Sequence, residues 1–579
     1  MSLHTSLLRL IGLLGLLAIL GGCGGGTSSD SLESYKNQKL VWDTCPSDIL
    51  SKDDKETLAG VGITLQQFGS RLTCAFMRAP LDYANPGRGE LRIAFMRVAH
   101  EDKSPRRGAI FFNPGGPGAD GLILAPLFAG RWSHNTLNES VGGLYQQMSR
   151  EFDLIGFSPR GTGRSTLLAC DSPALYQFVG TELDRSPDNI SAMLANAKLE
   201  ADACQRNPLT PFINTEATAR DLDLVRHLIG DDKLNYYGMS YGTWLGHWYA
   251  GLFPEHVGAM VLSGVVDLTR GLEETYLEQP MGYQRTFDKV IAPYADRNQN
   301  VFFSKGSATP LAGIFASLSS RPFLQAAASN TLSSAMDSSS RASTAVLTMV
   351  SAKWIADRLN GLSGTEIDKE PILRAEIDNA NIAAEMIDRG ETDLKNTLNK
   401  RAKMLAKKIV DGYFGRLSQQ ASGEADPVEI TSFAALNFSV VANDYSTRKT
   451  IAEWTAKTTQ NALDYPLIGG KFTGWQGLYW NEAIVTRPPF SNAARARAPV
   501  ILHAYYDGLT PREGAEASLN ILPNASYISI ANEYTHGVAV PYGQPCVDEP
   551  IALYFLYGTL PAKRIQCEGN LLPWDRASN

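Results

Sequence analysis

Hydrophobic positions along the chain fall into short runs that are separated by longer stretches of mixed composition. Apolar runs typical of strands lie at residues 91–98, 108–112, 152–157, 234–237, 259–266, 499–504 and 526–530. Hydrophobic residues at helical spacing lie between some of these runs, for example at 218–228. Strands that are apolar throughout and alternate with helices indicate a mainly parallel sheet with helices on both faces. The pattern therefore predicts an α/β fold.

The stretch from about residue 270 to residue 485 follows a different pattern. It is helical and polar, and no alternation of strands and helices is evident in it. We expect residues 271–485 to form a helical cap over the carboxyl edge of the sheet. The α/β core is then divided into a first part at 32–270 and a C-terminal part at 486–579. A chain of 579 residues is long enough for a large core that carries such an insertion.

The first residues predict a targeting segment. Leu10–Leu20 is an apolar run that is too short to span a bilayer as a mature helix. It leads into LGGC, which resembles a bacterial lipobox whose cysteine, here Cys23, is lipidated. We expect residues 1–23 to be a lipoprotein signal with its lipidated cysteine, and residues 24–31 to be a flexible tether to the membrane. The expected location is the bacterial envelope, on the periplasmic face of the outer membrane or outside the cell. An ordinary cleaved signal peptide is the alternative.

Cysteine usage is consistent with export. Without Cys23 the chain has six cysteines, and no C-x-x-C pair indicates a zinc or redox site. Many pairings are open, but sequence neighbours favour the disulfides Cys45–Cys74, Cys170–Cys204 and Cys546–Cys567. The net charge of −7 comes without a basic patch, which disfavours nucleic acid as a partner. The sequence does not determine the oligomeric state.

Residues 238–242 (GMSYG) have the G-x-S-x-G pattern of a catalytic serine. A predicted strand precedes them, and a predicted helix at 243–250 follows. In that context a sharp turn exposes the central side chain, and the flanking glycines let neighbouring backbone approach closely. We therefore predict that Ser240 is a nucleophile.

A serine nucleophile needs a base, and the base needs an orienting acid. Asp507 and His536 each follow a predicted strand, so both are expected at the same edge of the sheet as Ser240. The chain order Ser, Asp, His is the order that α/β hydrolases use. Three nearby carboxylates remain open as alternatives for the acid: Glu513, Glu533 and Asp548.

The negative charge of a tetrahedral intermediate needs preorganised hydrogen-bond donors. The backbone N–H of Tyr241, the residue after the nucleophile, is the first expected donor. The second is expected from the glycine–proline loop at 113–118, with either Gly115 or Gly116 as the donor.

Taken together, these segments resemble the secreted tripeptidyl aminopeptidase and proline iminopeptidase group of α/β hydrolases. The resemblance rests on residues 79–83, 113–118, 152–165, 219–226, 237–243, 252–254, the Asp507 loop, His536 and 546–567. It implies an α/β-hydrolase fold, a triad of Ser240, Asp507 and His536, and release of N-terminal residues from peptides without a cofactor. The cap of this family binds the free amine of the substrate through acidic groups, for which the candidates are Glu273, Glu274 and Glu482.

The predicted function is a serine exopeptidase that releases N-terminal amino acids or tripeptides from peptides through an acyl-enzyme. A carboxylesterase or lipase would use the same triad, so it is the first alternative. The second alternative is a non-catalytic binding lipoprotein on a hydrolase scaffold, because a fold alone does not establish activity.

Overall fold

The computed structural model describes residues 32–134, 139–302, 310–382, 392–445, 449–470, 474–481 and 485–575. The predicted signal with Cys23, the predicted tether and Glu482 lie outside these residues. Across the described part of the chain, no helix combines the length and the apolar character that a membrane span requires.

A large sheet forms the centre of the core. The strands of the described residues are β1 Leu72–Pro80, β2 Glu90–Val98, β3 Ala109–Asn113, β4 Asp153–Ser158, β5 Cys170–Leu175, β6 Leu234–Met239, β7 Val257–Ser263, β8 Pro427–Ile430, β9 Val500–Ala504, β10 Ser526–Ala531 and β11 Arg564–Glu568. Nine of them form one sheet in the order β1-β2-β4-β3-β6-β7-β9-β10-β11. The pairs β1–β2 and β2–β4 are antiparallel and the other pairs are parallel. The mainly parallel sheet confirms the predicted fold class.

Helices cover both faces of this sheet. The core helices are Leu32–Lys36, Lys52–Gly60, Leu124–Ser133, Glu139–Glu151, Thr215–Leu228, Tyr241–Leu252, Phe490–Ala493, Arg512–Ser518 and Pro545–Tyr557. Successive residues of a strand pack into apolar clusters on opposite faces of the sheet. Phe111 of β3 and Tyr236 of β6 belong to one cluster, and the next residues, Phe112 and Tyr237, belong to the other. Because both faces are covered, the central strands β3, β4, β7 and β9 are buried at every position instead of at alternate positions.

The end of β7 differs from the prediction. The apolar run predicted a strand to residue 266, whereas β7 ends at Ser263. Gly264 has a φ of 63°, which turns the chain away from the strand direction. The remaining apolar residues, Val265 and Val266, are buried without being part of the strand.

The predicted cap contains helices Leu272–Thr286, Ala292–Arg297, Gln299–Phe302, Leu311–Ser317, Pro322–Ala335, Ala342–Gly361, Glu370–Asn379, Thr392–Ser422, Ser432–Asp444 and Ile451–Asp464. It also contains one short strand, β8, which pairs antiparallel with β5. Only one residue of β8 is buried, so the strand has no apolar run that sequence reasoning could detect.

The interior of the cap is apolar, although the sequence of this stretch is polar on average. Its helices enclose an apolar cluster of their own, to which helix Ala342–Gly361 contributes along most of its length. Tyr534 from the C-terminal part of the core belongs to the same cluster. The cap is therefore packed directly against the region of the core that carries His536.

Three disulfides join the cysteines in the pairs that sequence neighbours favour. Cys45–Cys74 attaches the N-terminal segment to β1, and Cys170–Cys204 attaches β5 to helix Pro187–Gln205. Cys546–Cys567 attaches helix Pro545–Tyr557 to the edge strand β11.

Candidate active site

Ser240 lies in the sharp turn between β6 and helix Tyr241–Leu252. Its φ of 57° and ψ of −126° are rare for a residue with a side chain. The turn is fixed by a hydrogen bond from the Ser240 N–H to the Ser263 carbonyl oxygen at 2.9 Å. A Cβ at Gly238 would collide with the carbonyl oxygen of Gly242, so the flanking glycines are needed for this turn.

Asp507 and His536 form a hydrogen-bonded pair beyond the ends of β9 and β10. Both carboxylate oxygens of Asp507 lie 3.0 Å from Nδ1 of His536. Oδ1 also accepts hydrogen bonds from the backbone N–H groups of Leu509 and Thr510, and Oδ2 accepts one from the Thr510 hydroxyl. These donors fix the carboxylate, which in turn orients the imidazole and leaves Nε2 as the atom that can accept a serine proton.

The environment of the pair favours its charged forms. Burial alone would raise the pKa of Asp507, but the charge of His536 and the hydrogen bond between them outweigh it and lower the pKa. Burial would lower the pKa of His536, but the charge of Asp507, their hydrogen bond and the charge of Asp337 raise it above its ordinary value. Asp507 is fully buried and therefore depends on these partners.

One cavity of about 450 Å³ lies between the core and the cap. Its lining residues are Gly116, Pro117, Ser240, Tyr241, Val266, Leu272, Thr275, Tyr276, Gln279, Phe433, Ala434, Asn437, Phe438, Leu509, Thr510 and His536. Ser240 and His536 thus face the same space. None of these described residues is Asp, Glu, Lys or Arg, so the walls are apolar with a few neutral polar groups.

The loop at 113–118 passes directly over the nucleophile turn. A Cβ at Gly115 would lie 2.6 Å from the Met239 carbonyl oxygen and 2.8 Å from Ser240 Cβ, so this close approach needs glycine. The Gly115 N–H already donates to Asn113 Oδ1 at 3.0 Å. Gly116 lines the cavity instead. Because the Gly115 N–H is engaged in this way, we retain Gly116 as the candidate for the second donor beside the Tyr241 N–H.

The three alternative acids occupy other positions. Glu513 forms an ion pair with Arg285, and Asp548 accepts hydrogen bonds from backbone N–H groups that precede helix Pro545–Tyr557. Glu533 is buried within the loop that precedes His536. Asp507 is the carboxylate that contacts the imidazole. Thr510 also supports Asp507 but was not predicted, because its one signal in the sequence is a hydroxyl three residues after Asp507.

Neither described candidate for amine binding lines the cavity. Glu274 forms ion pairs with Arg270 and Lys449. Glu273 is buried close to the cavity-lining Tyr276, and its Oε2 has no hydrogen-bond partner among the described residues. Burial, together with the charge of Glu274, raises the pKa of Glu273 to about 7.

Comparison with known proteins agrees with this architecture. A family model for the α/β-hydrolase fold matches residues 108–360, and a model described as TAP-like protein matches residues 470–567. The second match contains the segments that carry Asp507 and His536. The chain has an α/β-hydrolase fold, and its C-terminal segment is TAP-like.

Three relatives of this protein differ in how much of the chain they match. A tripeptidyl aminopeptidase of Streptomyces lividans is 35% identical over 228 residues, which are 38% of this chain and 39% of that protein. Serine protease Hip1 of Mycobacterium tuberculosis is 33% identical over 38% of this chain and 41% of that protein. These matches therefore cover less than half of either relative. Carboxylesterase B of Mycobacterium tuberculosis is 27% identical over 85% of this chain and 86% of that protein.

The reactivity of Ser240 toward a fluorophosphonate is expected to rise with pH. His536 must be neutral to accept a proton, and its pKa is raised above the ordinary 6.5. The second-order labelling rate should therefore increase through a midpoint above pH 6.5 and level off at higher pH. A rate that already reaches its plateau below pH 6.5 would contradict the electrostatics described for this site.

Proposed function

We propose that this protein is a serine peptidase that releases N-terminal amino acids or tripeptides from peptides. The observation that carries the proposal is the exposure of Ser240 and His536 to one cavity, with Asp507 bonded to the far side of the imidazole. The named peptidase relatives support peptide chemistry.

The residues suggest a two-step reaction. The Ser240 hydroxyl attacks the substrate carbonyl carbon while Nε2 of His536 takes its proton. The Tyr241 and Gly116 N–H groups donate to the oxyanion of the tetrahedral intermediate. His536 then gives the proton to the leaving amine, and an acyl-enzyme remains on Ser240. Water attacks this ester with His536 again acting as base, which releases the acid product and restores the hydroxyl.

A carboxylesterase is the second candidate function. It is favoured by the uncharged walls of the cavity, which suit a neutral acyl group, and by the relative named carboxylesterase B, which matches most of the chain. An exopeptidase must in addition hold the positive amine of its substrate, and Glu273, which lies close to the cavity-lining Tyr276, is our candidate for that role.

A panel of p-nitroanilides separates the two functions. It contains aminoacyl and tripeptidyl compounds with a free amine, together with the same compounds blocked at the amine. The proposal predicts cleavage of the free-amine anilides alone, and the length of the cleaved group reports how many residues are released. Hydrolysis of short acyl esters without cleavage of any anilide would contradict the peptidase proposal and support a carboxylesterase.

The variant Glu273→Gln tests the amine-binding role. We expect KM for free-amine anilides to rise about tenfold or more, because a hydrogen bond to a charged group is worth about 1.5–3 kcal/mol. Hydrolysis of an uncharged acyl ester should not change. Glu274→Gln is the matched control, since Glu274 is held by Arg270 and Lys449. Equal effects of both variants, or none, would contradict the role of Glu273.

A further inference from the structure

Glu533 is a buried carboxylate that organises the loop at 533–537, which we call the histidine loop. Its Oε1 accepts hydrogen bonds from the N–H groups of Tyr534 and Thr535 and from the Thr535 hydroxyl, at 2.7–2.8 Å. Its Oε2 accepts from the hydroxyls of Ser339 at 3.1 Å and Tyr542 at 2.5 Å. Glu533 is 1% exposed, so these donors replace the water that a carboxylate otherwise needs.

The cap contacts the same loop through the segment at 337–339. The His536 N–H donates to the Asp337 carbonyl oxygen at 3.0 Å. The Ser339 N–H donates to the Thr535 hydroxyl at 3.0 Å, and the Ser339 hydroxyl bonds to both Thr535 and Glu533. Thus a short cap segment is hydrogen-bonded to the loop at His536 and at two of the three residues before it.

Further hydrogen bonds connect Glu533 and the cap segment to the loop that carries Asp507. The Tyr506 N–H donates to the Glu533 carbonyl oxygen at 2.8 Å. Tyr283, on the cap helix that packs against Gly508, donates from its hydroxyl to Asp337 at 2.6 Å. Glu533 is therefore bonded to both loops of the acid–base pair and to the cap.

We infer that Glu533 is a positioning residue, and that it acts with the cap segment 337–339 as a clamp that holds His536 in its reactive geometry. The inference rests on the proposed function, because it assigns a role in aligning the proposed base. Small displacements of a catalytic group are costly, since a shift of about 1 Å can reduce the rate by about 100-fold. In this inference the cap helps to position His536 in addition to lining the substrate cavity.

The clamp also determines which charges surround His536. The charged or titratable groups that interact with His536 are Asp507 and His503 from the core and Asp337 from the cap, and Asp337 accepts the hydrogen bond of Tyr283. The negative charge of Asp337 contributes to the raised pKa of His536. If the cap segment separates from the histidine loop, this contribution falls, and reactivity should persist to lower pH. A loss of stability alone would not move that midpoint.

The test compares Ser339→Ala, Glu533→Gln and Glu533→Ala with the wild-type full chain. The measured quantity is the second-order rate of fluorophosphonate labelling as a function of pH, with circular dichroism as the check of folding. Ser340→Ala is the matched control, because the exposed Ser340 hydroxyl bonds, among the described residues, to Ser338 alone. If Glu533→Ala does not fold, the two milder variants still decide the question.

We expect Ser339→Ala and Glu533→Gln to label about tenfold more slowly at the plateau, with the midpoint shifted to lower pH. Ser340→Ala should match the wild type. Folded Ser339→Ala and Glu533→Gln proteins with the wild-type rate and midpoint would overturn the clamp while leaving the proposed function intact. A wild-type protein that does not react at all would overturn the proposed function, and the clamp with it.

Discussion

Ser240→Ala is expected to lower kcat/KM by about 10⁴-fold or more on any substrate that the wild type cleaves. The reason is that the sharp turn places this hydroxyl, and no other described serine hydroxyl, in the cavity that His536 faces. Steady-state kinetics on the best anilide or ester of the panel measure the effect. The residual rate should be independent of His536, since the remaining stabilisation comes from the oxyanion donors and from binding.

The fold should tolerate this substitution. Alanine keeps the Cβ of Ser240, and the hydrogen bond that fixes the turn comes from the backbone N–H. We expect an unchanged circular dichroism spectrum and nearly the same melting temperature. Ser340→Ala on the cap surface is the control and should retain full activity. A folded Ser240→Ala protein with wild-type kcat/KM would show that the reaction does not use this serine.

Asp507→Asn is the second substitution with a large expected effect, a fall in kcat of about 10⁴-fold. The amide is nearly the same size as the carboxylate, so the loop should keep its shape. Its NH₂ group, however, can donate to Nδ1 of His536, which favours the tautomer that carries its proton on Nε2. That imidazole cannot accept the proton of Ser240, and the charge that stabilises the imidazolium is also lost.

Glu513→Gln is the matched control for this experiment. Glu513 is close to Asp507 in sequence and was an alternative acid, but it is paired with Arg285 away from the imidazole. The control should retain wild-type kcat. Retention of activity in Asp507→Asn together with its loss in Glu513→Gln would contradict the assignment of the acid.

The parts of the site that were predictable from the sequence are those encoded locally. The nucleophile turn has its two glycines within five residues, and Asp507 and His536 each follow an apolar strand. The choice between Gly115 and Gly116 could not be made in this way. It depends on the Asn113 side chain, which accepts the Gly115 N–H in the folded loop.

The apolar interior of the cap and its contacts with the histidine loop could not be predicted from the sequence. Helical spacing identified its helices, but its apolar interior is shared among many helices and with Tyr534, so no single helix reveals it. Ser339 and Thr535 are separated by 196 positions, and no local pattern indicates that they are hydrogen-bonded. For the same reason Glu533 remained an alternative for the catalytic acid at the level of the sequence. In the structure its hydrogen-bond donors show that it stabilises the histidine loop instead.

Mapping the site of fluorophosphonate attachment by mass spectrometry tests the central claim most directly. The wild-type protein, labelled near neutral pH and digested, should carry the phosphonyl group on the peptide that contains Ser240. Ser240→Ala should remain unlabelled while staying folded. Attachment to a different serine, or equal labelling of the wild type and Ser240→Ala, would contradict the account of this protein as a serine hydrolase that acts through Ser240.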